Sequence, residues 1–86
     1  MQSLFELGSI MATRKAQSLG IDFTTFLRRH ATGDWGDVDE TIARANDDAV
    51  RAGRLIMSSY DTPAGRFVIT TTADRSKTRV KLSDEK

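Results

Sequence analysis

The last third of this chain alternates between apolar and polar side chains, and this alternation constrains the fold more than any other feature. From Arg54 onward the apolar residues recur with a period of two, which is typical of strands that bury one face and expose the other. Two segments rich in turn-forming residues, 61–65 and 73–76, interrupt the pattern. The stretches around them predict three strands of an antiparallel meander, at 55–60, 66–72 and 77–82.

Before Arg54 the apolar spacing is three and four residues, which indicates helices. Segment 7–13 alternates loosely and predicts a first strand that joins the meander as a fourth, and segment 14–19 predicts a short helix ended by Gly20. A second helix is expected to begin at Asp22, whose carboxylate can accept hydrogen bonds from first-turn N–H groups. Its apolar face consists of Phe23, Phe26, Leu27 and His30, and Gly33 marks its end.

The third predicted helix begins at Asp37, with Glu40 three residues further on in a capping-box arrangement. Its expected buried stripe consists of small and medium apolar residues at helical spacing, namely Val38, Ile42, Ala45, Ala49 and Ala52. Gly53 ends it. The expected outward face carries Asp39, Thr41, Asp47, Asp48 and Arg51.

These elements predict a single α+β domain over residues 1–86, a two-layer sandwich of two or three N-terminal helices on a three- to four-stranded antiparallel meander sheet. A chain of 86 residues buries one modest core, so a catalytic site would be shallow or completed by a partner. The absence of cysteine excludes disulfides and cysteine-based zinc sites. No apolar run approaches the roughly 20 residues that cross a bilayer, and the first residues lack a signal-peptide pattern. We expect a cytoplasmic protein without a cofactor.

The middle of the chain is acidic. Between Asp34 and Asp48 there are six acids and one base, Arg44. The helix dipole favours acids near the start of a helix, but it does not account for Asp47 and Asp48 in mid-helix. The spacing of the acids does not fit a calcium loop, so no metal site is predicted. A partner-binding surface that imitates a row of phosphates is expected from Asp34, Trp35, Asp37, Asp39, Glu40, Asp47 and Asp48; the alternative is a solvated helix face.

The last predicted strand and the turn before it are basic, with Arg75, Lys77, Arg79 and Lys81 and no acid among them. Aligned bases of this kind suit phosphate contacts, which gives a weaker hypothesis of nucleic-acid binding. No aromatic residue is interleaved to stack on bases. The alternative interpretation is an edge strand whose charges prevent edge-to-edge aggregation.

The junction between the second and third helices contains the only histidine and the only tryptophan. A small enzyme is the alternative hypothesis there, with His30 as a general base oriented by Asp34 and with Tyr60 and Asp74 completing the site. The structural interpretation is that His30, as imidazolium, caps the C-terminus of its helix and that Trp35 closes the end of the core. Asp74 and Arg75 would then form an Asx-type turn with a solvated arginine.

The sequence also resembles a group of small bacterial proteins carried on plasmids and integrated elements, some loosely associated with restriction-modification loci. The likeness covers nearly the whole chain. It rests on Arg29-His30-x-x-Gly33-Asp34-Trp35-Gly36, then Asn46, Gly53-Arg54-Leu55 with Ser58 or Ser59 and Tyr60, and Ile69-Thr70-x-x-Ala73-Asp74-Arg75-Ser76-x-Thr78. The chain departs from the group at Thr72, where the group has an acid, and in its tail after Leu82. The departure at Thr72 counts against a catalytic role.

The resemblance implies a genetic setting rather than an established activity. With the acidic segment, it implies an inhibitor or adaptor of the anti-restriction or anti-CRISPR type that docks on a larger protein or protein–nucleic-acid complex. A homodimer is possible, and no membrane partner is expected. On this hypothesis, reversing Asp47 and Asp48 to lysine abolishes binding while the fold survives.

Overall fold

The computed structural model describes residues 3–85, and within them it contains three helices and four strands. In chain order these are β1 (Ser9–Ala12), α1 (Arg14–Gln17), α2 (Thr24–Ala31), α3 (Glu40–Ala52), β2 (Ile56–Thr62), β3 (Gly65–Thr71) and β4 (Lys77–Leu82). The α+β class predicted from the sequence is confirmed. No helix in residues 3–85 has the length and apolar character needed to cross a membrane.

The four strands form one sheet in the order β1-β4-β3-β2. The antiparallel meander of β2, β3 and β4 is confirmed, and β1 joins it as the fourth strand. However, β1 runs parallel to β4, with Ser9 opposite Lys77, so the sheet is not wholly antiparallel. This direction is open to β1 because the chain passes through three helices and two further strands before it reaches β4, and no hairpin constrains the pair.

One face of the sheet is covered by the helices and the N-terminal segment. Under α1 and α2 lies a first core cluster of Ala16, Tyr60, Phe67, Ile69 and Val80. Phe23 and Phe26 pack on it with their rings edge-on to Phe67, both at 5.0 Å between centroids. Under α3 lies a second cluster of Trp35, Ala49 and Ile56, against which Phe5 packs. The apolar face predicted for the second helix is therefore confirmed.

The third helix begins later than predicted. Asp39, not Asp37, caps α3 by accepting the N–H of Ile42 at 2.9 Å. The Asp37 carboxylate instead accepts the N–H of Asp61 at the edge of β2. Gly53 ends the helix in the left-handed conformation, as predicted.

The buried stripe of α3 is also rotated from the predicted one. Ala45 and Ala52 are exposed, and the side facing the core is formed by Ala43, Asn46, Ala49 and Val50. Asn46 is polar and therefore escapes a search for apolar periodicity. It is buried because its side-chain amide bonds both backbone groups of Met57, at 2.7 and 3.2 Å.

The other face of the sheet carries neither core cluster. Strand alternation places Lys77, Arg79 and Lys81 of β4 on this face. Arg79 lies opposite Thr70 of β3, and Lys81 lies opposite Val68. We call this side of the sheet the uncovered face. The alternation predicted for residues 77–82 is confirmed, since Thr78 and Val80 are buried on the helix side.

Candidate functional site

His30 lies fully buried between α2 and the sheet. Its Nδ1 atom is hydrogen-bonded to the Ser58 hydroxyl, and its Nε2 atom lies 2.9 Å from the Thr71 hydroxyl. Thr71 is bonded to Thr78, whose hydroxyl donates to the Leu7 carbonyl. Because a carbonyl can only accept, Thr78 accepts from Thr71, and Thr71 accepts from Nε2–H of His30. Nδ1 of the neutral ring then accepts from Ser58, so the imidazole is the Nε2–H tautomer.

The protonation state of His30 follows from this environment. Burial lowers the pKa of His30 from 6.5 to about 4, and the positive charge of Arg75 adds to the effect. The ring is therefore neutral at neutral pH, and both its nitrogens bond hydroxyls rather than a carboxylate. The hypothesis of a general base oriented by Asp34 is wrong for this geometry, and so is the hypothesis of an imidazolium cap on α2.

Asp34 belongs to a different cluster, at the junction between α2 and α3. Its carboxylate accepts two hydrogen bonds from Arg29, at 2.8 and 3.3 Å. The bond from Arg29 is the largest cause of the lowered pKa of the Asp34 carboxyl. The Arg29 guanidinium lies over the Tyr60 ring at 4.7 Å, and the Tyr60 hydroxyl donates to the Asp34 carbonyl at 2.7 Å. This cluster fixes the course of the junction.

Tyr60 is buried, and desolvation raises its pKa to about 12, so the phenol stays protonated. A shallow groove of about 370 Å³ runs beside the junction, lined by Thr25, Arg28, Arg29, Thr32, Gly33 and Asp34. His30 and Tyr60 do not line it. The structure thus brings Asp34 and Tyr60 together but gives them no shared opening with His30.

Asp74 lies in the turn between β3 and β4. Its carboxylate accepts bonds from the hydroxyls of Thr72 and Ser76, both at 2.7 Å, and from the Ser76 N–H at 3.0 Å. The bond from the Ser76 side chain is the largest cause that lowers the pKa of Asp74 to about 2. This is the predicted Asx-type turn. The four candidates His30, Asp34, Tyr60 and Asp74 therefore do not converge on one catalytic centre.

Trp35 does not belong to an exposed docking surface, because it is only 6% exposed and packs in the second core cluster. The interpretation that it closes the end of the core is confirmed. Its indole N–H donates to the Asp47 carboxylate at 3.1 Å. Asp47, which helix-dipole reasoning leaves unexplained, is thus the hydrogen-bond acceptor for a buried tryptophan.

The remaining acids of the middle segment also have partners within the chain. Asp48 pairs with Arg51 at 2.9 Å and Glu40 pairs with Arg44 at 2.6 Å, both along the surface of α3. Asp39 caps α3, as described above. Within residues 3–85 no group of three or more histidine and carboxylate side chains converges in a way that could hold a metal ion.

Arg75 is not part of the basic surface that the sequence suggests. Its backbone is left-handed, with φ of 62°. The guanidinium donates to the carbonyls of Arg54, Thr72 and Ala49 at 2.6, 3.0 and 2.8 Å. It also lies over the Phe5 ring at 5.3 Å. The prediction of a solvated arginine is wrong: Arg75 closes the C-terminal end of α3 and joins it to the last hairpin.

Lys77, Arg79 and Lys81 remain as a row on the uncovered face. The interpretation of an edge strand is wrong, because β4 lies inside the sheet between β1 and β3. None of the three forms an ion pair with any residue of the described chain. Arg66 of β3 does not extend this row, because its guanidinium donates to the Asp37 carbonyl at 3.1 Å, at the outer edge of β2.

A groove of about 180 Å³ lies at the seam of β1 and β4. It is lined by Ser9, Ile10, Met11, Lys77, Thr78 and Arg79, so two of the three bases border it. Comparison with known proteins gave no match to any family model, any curated protein or any solved structure. Function must therefore be inferred from the surfaces themselves.

Proposed function

We propose that this protein is a binding protein whose uncovered sheet face contacts the phosphate backbone of a nucleic acid in the cytoplasm. The observation that carries this proposal is the row Lys77, Arg79 and Lys81. These bases project from an interior strand, no core cluster covers their face, and no acid of the described chain pairs with them. Charges that have neither a structural partner nor an edge to protect are available to a ligand of opposite charge.

The geometry of the row suits a repeating anion. Alternate residues along a strand are separated by roughly 6.6 Å, so three bases present charges in a line of roughly 13 Å. The phosphodiester backbone carries one charge per nucleotide and is bound by lysine and arginine at such positions. The neighbours of the row on β3 and β2 are Val68, Thr70, Ser59 and Met57, and none is aromatic. Base stacking is therefore absent, and we expect little sequence preference.

Fluorescence anisotropy with labelled single- and double-stranded oligonucleotides tests the proposal. For three phosphate contacts, log K should fall with log salt at a slope of about −2 for a single strand and nearer −2.7 for a duplex. The triple variant Lys77→Ala/Arg79→Ala/Lys81→Ala should lose at least about tenfold in affinity at low salt.

A matched control removes the same number of positive charges elsewhere, in Lys15→Ala/Arg28→Ala/Arg54→Ala. This variant should bind nearly as well as the unchanged protein, because its substitutions lie off the uncovered face. Equal losses in both triple variants would show a nonspecific effect of net charge and would refute the proposed face.

The second candidate function is the anti-restriction or anti-CRISPR inhibitor or adaptor that docks on a larger nucleic-acid-handling complex through its acidic surface. The exposure of two acids favours it: the side chains of Glu40 and Asp48 are 78% and 63% exposed. Their ion pairs along α3 are surface pairs of little strength. Each carboxylate can therefore leave its arginine on α3 and pair with a basic residue of a partner. Trp35 and Asp47 are not part of this surface, because Trp35 is buried in the core and Asp47 accepts the hydrogen bond of its indole N–H.

The test of this second function is capture from a bacterial lysate with Glu40→Lys/Asp48→Lys, followed by identification of the captured proteins. The control Asp61→Lys/Asp84→Lys makes the same change in charge away from α3. The proposal is supported if the unchanged chain and the control both capture a nucleic-acid-handling protein and the α3 variant does not. Capture that is insensitive to the α3 variant contradicts the acidic surface.

A further inference from the structure

The outer edge of β2 is closed by hydrogen bonds from the rest of the chain. The Asn46 amide occupies both backbone groups of Met57. Gly36 forms a bridge with Ser59, whose N–H donates to the Trp35 carbonyl and whose carbonyl accepts from the Asp37 N–H. The Asp37 carboxylate takes the N–H of Asp61. These three positions are the ones that face away from β3, so this edge offers no free ladder to another strand.

The outer edge of β1 is different. In its parallel pairing with β4, Ser9 and Thr13 donate to the carbonyls of Ser76 and Val80, both at 2.9 Å. A parallel ladder uses alternate residues, so the backbone groups of Ile10 and Ala12 face away from β4. Among residues 3–85, only the Gln17 side chain bonds these groups, donating to the Ala12 carbonyl at 2.9 Å.

The side chains of β1 also differ from those of a protected edge. Ile10 is 52% exposed and Met11 is 68% exposed. Segment 7–13 contains no charged residue and no proline, which are the usual means of blunting an edge strand. An open ladder therefore coincides with exposed apolar side chains at one place on the molecule.

The charges that flank β1 identify the strand that would fit it. Glu6 precedes Ile10 by four residues and Arg14 follows it by four residues. Both side chains are exposed, and neither forms an ion pair within the described chain. In an antiparallel pair of identical strands centred on Ile10, each Glu6 lies at the same end as the partner's arginine; in a parallel pair, like charges would meet.

We propose that β1 pairs with β1 of a second copy of this chain, antiparallel about Ile10, to form a two-fold symmetric dimer. The two backbone groups of Ile10 bond those of its counterpart across the axis. The two sheets become one sheet of eight strands in which the two uncovered faces lie on the same side, because paired residues of an antiparallel ladder share a face. Met11 of each copy lies on that face, at the seam between the two basic rows.

The dimer itself does not depend on the proposed function. Only its consequence for nucleic-acid binding rests on that function. If the uncovered face binds nucleic acid, the dimer presents two rows of bases on one surface. The number of phosphates neutralised then doubles, and the slope of log K against log salt doubles with it, to about −4 for a single strand.

Sedimentation velocity over a concentration series, without nucleic acid, tests the dimer independently of the proposed function. Ile10→Lys places a charge in the centre of the pair and should raise the dimer dissociation constant at least about tenfold. Leu55→Lys is the matched control, because Leu55 is similarly exposed, at 57%, but lies outside β1 and should leave the constant unchanged. Far-UV circular dichroism of each variant confirms folding.

A charge exchange makes the test specific for the antiparallel register. Glu6→Arg alone should weaken the dimer by roughly five- to tenfold, since at each end it places a second positive charge opposite the partner's Arg14. Glu6→Arg combined with Arg14→Glu should restore the constant of the unchanged protein. A chain that stays monomeric at all concentrations, a dimer that Ile10→Lys leaves intact, or an exchange that fails to restore pairing would each overturn the proposal. An unchanged protein that dimerises but binds no nucleic acid would refute only the proposed function.

Discussion

The imidazole of His30 illustrates how position, rather than residue type, sets the chemistry of a side chain. Two hydroxyl groups and no carboxylate surround the ring, and the Leu7 carbonyl at the end of the hydrogen-bond chain fixes its tautomer. A buried histidine in this state is a packing residue with satisfied hydrogen bonds. It links α2, the sheet and the N-terminal segment through Thr71 and Thr78.

The lowered pKa of His30 predicts a loss of stability in mild acid. Between pH 6.5 and about 4 the unfolded chain binds a proton at His30 that the folded protein does not bind, so stability falls as pH falls. Above pH 6.5 the free energy of unfolding is at its full value as far as His30 is concerned. By pH 4 it has fallen by about 3 kcal/mol. Urea unfolding at intervals between pH 7 and pH 4 measures the loss.

The control for this prediction is His30→Gln, which removes the titrating group and should make stability nearly independent of pH between 5 and 6.5. Carboxyl groups with lowered pKa values, those of Asp34, Asp74 and Glu85, are charged over this window and lose their contribution only at lower pH. An unchanged slope in the glutamine variant would contradict the assignment to His30.

Asp47 and Asp48 are neighbours in sequence but have different roles, and substitutions distinguish them. Asp47→Ala leaves the buried Trp35 N–H without its acceptor, so we expect a loss of about 1–3 kcal/mol in the free energy of unfolding. Asp48→Ala removes a surface ion pair and should change stability by less than about 0.5 kcal/mol. Chemical denaturation followed by Trp35 fluorescence measures both. Equal effects would show that the bond to Trp35 contributes nothing.

At the scale of secondary-structure elements, the junction between α2 and α3 acts as an additional strand-like segment along β2. Gly36 has φ of 74° and forms the bridge to Ser59. A Cβ atom at this position would clash with the Ser59 carbonyl and lie 2.6 Å from the Tyr60 ring. Gly36 is therefore required both for its left-handed backbone and for the close approach of the junction to β2.

Alanine substitutions at Gly20 and Gly36 distinguish the cost of the left-handed backbone from the cost of the close approach. Gly20 has φ of 69° but no atom within 4 Å of an added Cβ, so Gly20→Ala should cost only backbone strain, about 1 kcal/mol. Gly36→Ala carries the same strain and a clash with backbone, and it should cost at least about 3 kcal/mol. Thermal unfolding of both variants compares them; similar values would mean that the junction can move away from β2 without loss.

At the scale of the whole molecule, two core clusters lie under one sheet. The cluster under α1 and α2 includes Tyr60, and the cluster under α3 includes Trp35. His30 connects them, because α2, on which it lies, packs Phe26 and Leu27 on the first cluster, while its ring makes edge-on contacts with Phe5 and Trp35 of the second, at 5.3 and 6.0 Å between centroids. On the opposite face of the sheet the bases of β4 lie beside Val68, Thr70, Ser59 and Met57.

This connection predicts that the molecule unfolds as one unit. Trp35 fluorescence reports on the second cluster and far-UV circular dichroism on all the helices and strands, and their transitions in urea should coincide. A fluorescence transition at lower urea than the dichroism transition would show that α3 and Trp35 separate from the sheet before the rest, and that His30 does not couple the clusters.

The sequence alone was sufficient to determine what depends on local spacing. The period-two alternation predicts β2, β3 and β4, and within β4 it predicts the buried side of Thr78 and Val80, because successive side chains of a strand point to opposite faces whatever lies nearby. The face of α2 and the Asx-type turn at Asp74 follow from equally local rules. The position of β1 beside the meander was predicted, but not its direction.

Only the tertiary structure decided what depends on partners distant in sequence. Asp47 is explained by Trp35, Asp37 by Asp61 and His30 by Ser58 and Thr71. Charge and polarity along the chain cannot reveal such partners, so the acidic segment resembles a docking surface until each acid is assigned. Conversely, the bases of β4 resemble edge protection until the parallel strand β1 covers that edge. Charge is visible in the sequence, but its availability to a ligand is set by packing.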